Sequence, residues 1–131
     1  MNVIVHDEQI PEKWRDGVVT RMRMSALLGS HRLCIFDQYC DPGLGAPTHV
    51  HAVEEVLEVI EGTAKVWVGE ESTIVRRNQS VLIPAGVRHG FCNVEQTSKL
   101  QVRATLAACI FEVTYDGEDH RSLRWSPGEL T

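Results

Sequence analysis

The chain lacks the features that mark two large classes of protein. Its 131 residues contain no apolar run of about 18 to 20 residues, the length that a membrane span requires. Acidic residues outnumber basic ones by 18 to 13, and the formal net charge of -5 argues against a general nucleic-acid surface, which needs a basic face. We therefore expect neither a membrane nor a nucleic acid as a partner.

The cysteines are not spaced like those of a structural zinc site or a disulfide scaffold. Cys34, Cys40, Cys92 and Cys109 are scattered and form no C-x-x-C pair, whereas structural zinc sites and disulfide scaffolds are recognised by such spacing. The first eight residues have neither the basic region nor the apolar stretch of a secretory signal. The sequence thus predicts free thiols and a cytoplasmic location.

A long amphipathic helix is also missing. Turn signals recur roughly every 8 to 12 residues, which is the spacing of an all-β sandwich or barrel. Residues 18–27 alternate Met with Arg at the period of a strand, so the methionines would face the core. Arg21 and Arg23 would then lie on a solvated strand face or form an anion clamp at a cavity mouth.

The organisation along the chain is that of one domain, residues 1–131. A composition of 43% hydrophobic and 24% charged residues is ordinary for a globular protein, and this length buries a sizeable core. Residues 1–17 form an N-terminal arm, a short helical turn or a segment packed on the barrel. Residues 116–131 form a polar C-terminal tail whose Trp125 and Pro127 could pack on a neighbour. We expect such arms to cover exposed strand edges in a homodimer.

Four residues carry the chemistry of this sequence. His49 and His51 are two apart, so on a strand both point to the same side, roughly 6.5 to 7 Å apart. Glu55 follows four residues later and can join them on that side. Later in the chain, a Pro/Gly turn precedes His89 at the head of an apolar run, where a strand would carry it inward. Imidazoles with a carboxylate suit a divalent transition metal. The predicted metal ligands are His49, His51, Glu55 and His89.

The spacing of these residues resembles that of the cupins. Every fixed position of the first cupin motif is present, from Gly43 through the two histidines and the glutamate to Gly62. Asn78 stands where the second motif usually opens with glycine, and asparagine tolerates a left-handed turn better than other non-glycine residues. The rest of the second motif is present as Pro84, Gly86, His89 and Asn93.

The cupin resemblance implies an all-β double-stranded β-helix, the jelly-roll barrel of that family. It also implies one divalent transition metal per chain, which could be Fe, Mn, Ni, Co, Cu or Zn because the ligand set does not choose among them.

Two functions are compatible with these features. One is a small metal-dependent enzyme acting on a small polar metabolite, as a dioxygenase if iron is bound, or as an isomerase, epimerase or lyase with another metal. The other is a non-catalytic module that binds a small ligand or a metal. Sensor cupins usually resemble this unit fused to a DNA-binding helix-turn-helix, for which 131 residues leave no room. That length favours the enzyme, although no catalytic residue can be named.

The alternation of side chains along each strand predicts further residues near the site. Leu57 and Val59 share a strand face with Glu55 and would line the barrel. Asn93 is expected to make structural hydrogen bonds. The other histidines, His6, His31 and His120, are expected to be surface or satisfied core residues. Parity alone also nominates four cavity-facing residues, Gln38, Tyr39, Arg103 and Glu112.

Overall fold

Two antiparallel six-stranded sheets make up this computed structural model, which describes residues 1–130, with side chains through residue 128. In order across the sheet, the first consists of β1 (Glu12–Arg15), β2 (Val18–Met24), β3 (Cys34–Cys40), β10 (Leu100–Leu106), β5 (Glu55–Glu61) and β8 (Gln79–Ile83). The second consists of β12 (Ser122–Arg124), β11 (Phe111–Tyr115), β4 (Gly45–Val50), β9 (His89–Asn93), β6 (Thr63–Val68) and β7 (Glu71–Arg76). The described part of the chain also contains 3-10 turns at His6–Glu8, Ala26–Leu28 and Pro127–Leu130. The predicted all-β jelly roll is confirmed.

The core lies between the two sheets and follows the two-residue period of the strands. In β10 every second residue is buried, and the residues between are half-buried on the outer face. Leu57 and Val59 of β5 alternate in the same way, with 2% and 0% of their surface exposed. Burying a side chain of this size contributes about 1.5 to 3 kcal/mol. The alternation therefore fixes which face of each strand points inward.

The second strand is shorter than predicted. It ends at Met24, because Ser25 caps a 3-10 turn and its hydroxyl accepts a hydrogen bond from the Leu27 amide at 3.2 Å. Met22 packs against the core as expected. Arg21 and Arg23 lie on the outer face of the first sheet, where Arg23 forms an ion pair with buried Asp37 at 2.7 Å.

Both terminal segments pack on the barrel of their own chain. The N-terminal arm contributes a 3-10 turn and then β1, which pairs with β2. The C-terminal tail contributes β12, which pairs with β11. Trp125 follows β12, is only 7% exposed, and packs against Trp14 and Phe36 with ring centroids 5.6 and 5.5 Å apart. Thr131, the last residue of the predicted tail, lies outside the described residues.

The turn that opens the second motif is left-handed, as the sequence suggests. Asn78 has a φ of 65°, in the region where glycine is usual and asparagine is tolerated. Its amide donates to the carbonyl of Val59 at 2.9 Å, which fixes the turn against β5. The asparagine therefore replaces the family's glycine at a small conformational cost.

The cysteines are free thiols, as predicted. Cys34 and Cys40 are completely buried in the core, and burial raises the pKa of each thiol to about 12. Both are therefore protonated and unreactive at neutral pH.

Within residues 1–130, no helix combines the length and the apolar character that crossing a bilayer would take.

Candidate metal centre

The structure brings the four predicted ligands together between the two sheets. His49 of β4 is the register partner of His89, the first residue of β9. His51 follows β4 directly, and Glu55 is the first residue of β5 on the opposite sheet. One ligand atom from each residue lies within 4.8 Å of all the others, and all four residues are buried. The cluster can therefore hold a single metal ion.

Each of the three imidazoles is oriented by a main-chain carbonyl. The Nδ1 of His49 lies 2.6 Å from the carbonyl oxygen of Pro47, and that of His89 lies 2.8 Å from the oxygen of Val87. The Nδ1 of His51 lies 2.6 Å from the carbonyl oxygen of Glu112. Because a carbonyl only accepts, each Nδ1 must carry the hydrogen, and in the neutral ring the lone pair is then on Nε2.

The carboxylate of Glu55 joins two of these rings. Its Oε1 lies 3.1 Å from the Nε2 of His51 and 3.2 Å from the Nε2 of His89. Burial alone would raise the pKa of Glu55, but the hydrogen bonds from the two histidines outweigh it and lower that pKa below its usual range. The acid is therefore ionised at neutral pH, as a metal ligand must be.

The two histidines of the first motif differ in their protonation. Burial, together with the charges that His89 and His51 would carry, lowers the pKa of His49 to about 3. Burial also acts to lower the pKa of His51, but the hydrogen bond to Glu55 outweighs it and raises that pKa. His49 is thus neutral over the ordinary pH range, whereas the hydrogen bond to Glu55 favours the protonated form of His51 while no metal is bound.

These residues fit a divalent transition metal. Three neutral imidazoles with converging Nε2 atoms and one carboxylate form a borderline donor set, and the carbonyl contacts supply the outer support that such ligands usually have.

A small chamber adjoins the cluster and opens towards the surface. It leaves about 20 Å³ of free space, room for on the order of one water molecule. Trp14, Arg15 and Tyr115 line this chamber and also line an open cleft of about 600 Å³. These three side chains form the wall between the candidate metal centre and solvent.

Comparison with known proteins agrees with this architecture. The sequence matches the Cupin domain family over residues 37–105, more than half of the 131-residue chain. The chain belongs to the cupin family.

An uncharacterised protein of Streptomyces coelicolor is 37% identical over 62 residues, a match that spans 47% of this chain and 59% of that protein's length.

Solved structures show the same fold at low identity. An RmlC-like cupin from Shewanella frigidimarina has a TM-score of 0.71 at 20% identity, covering 82% of this chain and 91% of the other. The polyketide cyclase RemF from Streptomyces resistomycificus has a TM-score of 0.73 at 18% identity, covering 95% of this chain and 84% of the other. At these identities the likeness concerns the fold.

Strand alternation predicted four cavity-facing residues in this cupin, and one of them lines the chamber. Gln38 does so and donates to the hydroxyl of Thr20 at 3.1 Å. The nominations of Tyr39 and Arg103 are wrong, because both lie on the outer face of the first sheet, where Arg103 binds Asp37. Glu112 is also wrong as a cavity residue, since its carboxylate accepts from the Ala52 amide at 2.9 Å.

The other nominations near the site have mixed outcomes. Leu57 lines the chamber, whereas Val59 is buried further along β5. Asn93 makes the structural hydrogen bonds expected of it, donating to the carbonyls of Cys40 and Ser98 and accepting from the Glu95 amide. Arg21 and Arg23 do not line the chamber, so the anion-clamp alternative fails for both.

Sequence reasoning missed the outer wall of the site in this cupin. Arg15 follows Trp14 in an arm with no motif, and Tyr115 is the last residue of β11. Arg15 donates to the Tyr115 hydroxyl at 2.9 Å, across 100 positions of sequence. The one available signal was Trp14, a large apolar residue in an otherwise polar arm.

Proposed function

We propose that this cupin is a small metal-dependent enzyme that acts on a small polar metabolite. The observation that carries the proposal is the convergence of three histidines and one glutamate beside a chamber that shares a wall with an open cleft. A buried site of convergent polar groups with access to a cleft is the usual arrangement of an active site. We assign one divalent transition metal per chain to His49, His51, Glu55 and His89.

The residues of the chain have separable tasks in this proposal. A bound metal supplies Lewis acidity, or redox chemistry if it is iron. The three Nε2 atoms and the Glu55 carboxylate hold it, and together they leave one net positive charge. The aromatic side chains of the chamber exclude bulk water, which strengthens the electrostatic interactions within it. The wall formed by Trp14, Arg15 and Tyr115 decides which molecules reach the metal.

The reaction class follows from the metal. With iron we propose dioxygenase chemistry, and with manganese, nickel or zinc an isomerase, epimerase or lyase reaction. The fold is shared with a protein named a polyketide cyclase, so the barrel is compatible with an enzymatic role, and the role itself is argued from the site.

A second candidate is a module that binds a metal or small ligand without turning it over. The small chamber, about 20 Å³, favours this candidate because little beyond an ion and one small molecule fits there without movement of the wall.

We also propose that the chain is a homodimer. The edge strands of the two described sheets, β1, β8, β12 and β7, each have a neighbour on one side only, and association is a common way to protect such edges.

Elemental analysis tests the function. We expect near-stoichiometric metal in protein purified without an affinity tag, handled anaerobically, and none in a His51→Ala, His89→Ala double variant. Matched control substitutions are His31→Ala and His120→Ala, which remove two exposed histidines and should leave the metal in place. Iron would direct assays to oxygen uptake with small metabolites, and manganese, nickel or zinc to isomerase and lyase assays.

Two results would count against the proposal. Full metal retention by the double variant would refute the ligand assignment, and the absence of metal even after reloading would leave the binding module as the better function.

A further inference from the structure

The wall of the candidate site contains a cation without a carboxylate partner. Half-buried Arg15 donates from Nη1 to the carbonyl of Gly45 at 3.0 Å and from Nη2 to the hydroxyl of Tyr115 at 2.9 Å. Both acceptors are neutral. Among the side chains through residue 128, Arg15 takes part in no ion pair, although a guanidinium is charged at every physiological pH.

Three arginines that pack on the same two sheets have acidic partners. Arg23 and Arg103 share the carboxylate of Asp37 on the outer sheet face. Arg124, which lines the same cleft as Arg15, lies 3.8 Å from a carboxylate oxygen of Glu12. The charge of Arg15 therefore stands out at this end of the barrel because the fold leaves it without a partner.

The position of Arg15 connects this charge to the candidate metal centre. Of the chamber-lining residues, it is the one lysine or arginine. Tyr115, its hydrogen-bond partner, has its ring centroid 5.8 Å from that of His49. With a metal bound to the three histidines and Glu55, the chamber and its wall carry positive charge from two sources. Such a pocket attracts anions.

The groups on this wall are arranged to receive a carboxylate. A guanidinium presents parallel N–H donors that match the two oxygens of a carboxylate. The Tyr115 oxygen accepts from Arg15, so its own hydrogen remains available to donate to a ligand. Trp14 beside them is held in place, since its indole N–H donates to Glu12 at 3.1 Å and the Arg124 guanidinium lies 4.1 Å from its ring centre.

We propose that Arg15 and the Tyr115 hydroxyl bind a carboxylate of the substrate at the mouth of the chamber. The substrate is then a small organic anion with a second oxygen-bearing group that faces the three histidines, while any remaining part occupies the cleft beside Trp14. This assignment of substrate class rests on the proposed function, but the anion site itself can be tested without it.

The test compares dicarboxylates with ligands that lack one charge. The probes are malonate, succinate and glutarate, each beside its monoamide, titrated by calorimetry and tryptophan fluorescence into metal-loaded and chelator-treated protein. The three chain lengths cover different separations between Arg15 and the histidines. In metal-loaded protein we expect at least one dicarboxylate to bind roughly tenfold more tightly than its monoamide, the range of one charged hydrogen-bonded pair.

Substitutions test which residues cause the tighter binding of the dicarboxylate. Arg15→Gln should bring the ratio of the two affinities close to one without loss of metal, and Arg15→Lys, which keeps the charge without the planar fork, should restore part of it. Tyr115→Phe should reduce the ratio several-fold, and it decides the question if Arg15→Gln does not fold. Arg76→Gln is the matched control, since Arg76 is an exposed arginine of β7 that lines neither the chamber nor the cleft, and it should leave the ratio unchanged.

The outcomes separate the two proposals. Metal binding with the same ratio in wild type and Arg15→Gln would overturn the anion site and leave the metal-dependent function standing. Carboxylate binding that depends on Arg15 in a protein that takes up no metal would support the anion site and overturn the metal-dependent function. An absence of anion binding in both metal-loaded and chelator-treated protein would also overturn the anion site.

Discussion

At the scale of single residues, His51 and Glu55 share a proton that a metal must displace. The hydrogen bond to Glu55 outweighs the effect of burial and raises the pKa of His51 above its ordinary value of 6.5 in the metal-free protein. A metal can bind the Nε2 of His51 only after the proton there has left. Metal affinity and proton release are therefore coupled at this residue.

We predict that metal binding releases a proton from His51 below its raised pKa, and that apparent metal affinity falls as the pH drops through that pKa. Calorimetry in buffers of different ionisation enthalpy measures the proton count. Glu55→Gln removes the charge that raises this pKa, so it should reduce both proton release and metal affinity. A binding enthalpy that is independent of the buffer at pH 6 to 7 would contradict the prediction.

The residue scale also shows what the sequence could predict about the site. The four clustered side chains were predictable, because His49 and His51 are held on one side by strand geometry and the motif spacing adds the other two. Arg15 was not predictable, since its partner Tyr115 is 100 positions away and no local period signals that contact.

At the scale of strands, the outer face of the first sheet is stabilised by a buried carboxylate. Asp37 of β3 is fully buried and accepts hydrogen bonds from Arg23 of β2 and Arg103 of β10. Burial alone would raise the pKa of Asp37, but the hydrogen bonds from the two arginines outweigh it and lower the pKa. One side chain thus joins three neighbouring strands.

We predict that Asp37→Asn lowers the free energy of unfolding by about 1 to 3 kcal/mol at pH 7, the cost of losing charged hydrogen bonds. Because the folded-state pKa of Asp37 is depressed, this stabilisation is present above pH ~4 and is lost as the pH falls further. Urea denaturation of both proteins from pH 3 to 7 should show curves that converge at the acidic end.

Glu58→Gln is the control for this prediction, since Glu58 pairs with Arg103 in the strand register and should affect stability little. A difference between wild type and Asp37→Asn that stays constant down to pH 3 would rule out the ionic origin.

The direction of side chains was predicted correctly in strands with one clearly apolar face. It was predicted wrongly in strands where both faces carry polar and apolar residues. In β3, inward Gln38 and outward Tyr39 are adjacent, so parity could place one of them in the cavity but not both. Arg103 was misassigned because its acidic partner is on another strand, 66 positions away.

At the scale of the whole molecule, the two termini meet over the end of the barrel. The N-terminal arm supplies Trp14 and the C-terminal tail supplies Trp125, and both pack against Phe36 and Phe111. The Trp125 indole donates to Glu12 at 3.1 Å, which joins the two termini directly. The tail is therefore part of the folded barrel, and Trp125, for which the sequence suggested packing on a neighbour, packs on its own chain.

We predict that Trp125→Ala lowers the free energy of unfolding by about 3 kcal/mol, because the indole is nearly buried among three aromatic rings. Chemical denaturation measures the change. Leu123→Ala is the matched control in the preceding strand, where 39% of the side chain is exposed and the cost should be well below 1 kcal/mol. Equal destabilisation by both substitutions would show that the tail acts as a whole and that Trp125 has no particular role.

The carbonyl contacts of the three histidines have an evolutionary consequence. Every amino acid carries a carbonyl group, so the identities of residues 47, 87 and 112 can drift over generations while the imidazoles keep their orientation. The path of the main chain cannot drift in this way. An insertion or deletion between residues 47 and 51, or between 87 and 89, would turn a ring away from its partners. We therefore expect selection on this site to act on the spacing of these main-chain positions as well as on the ligands.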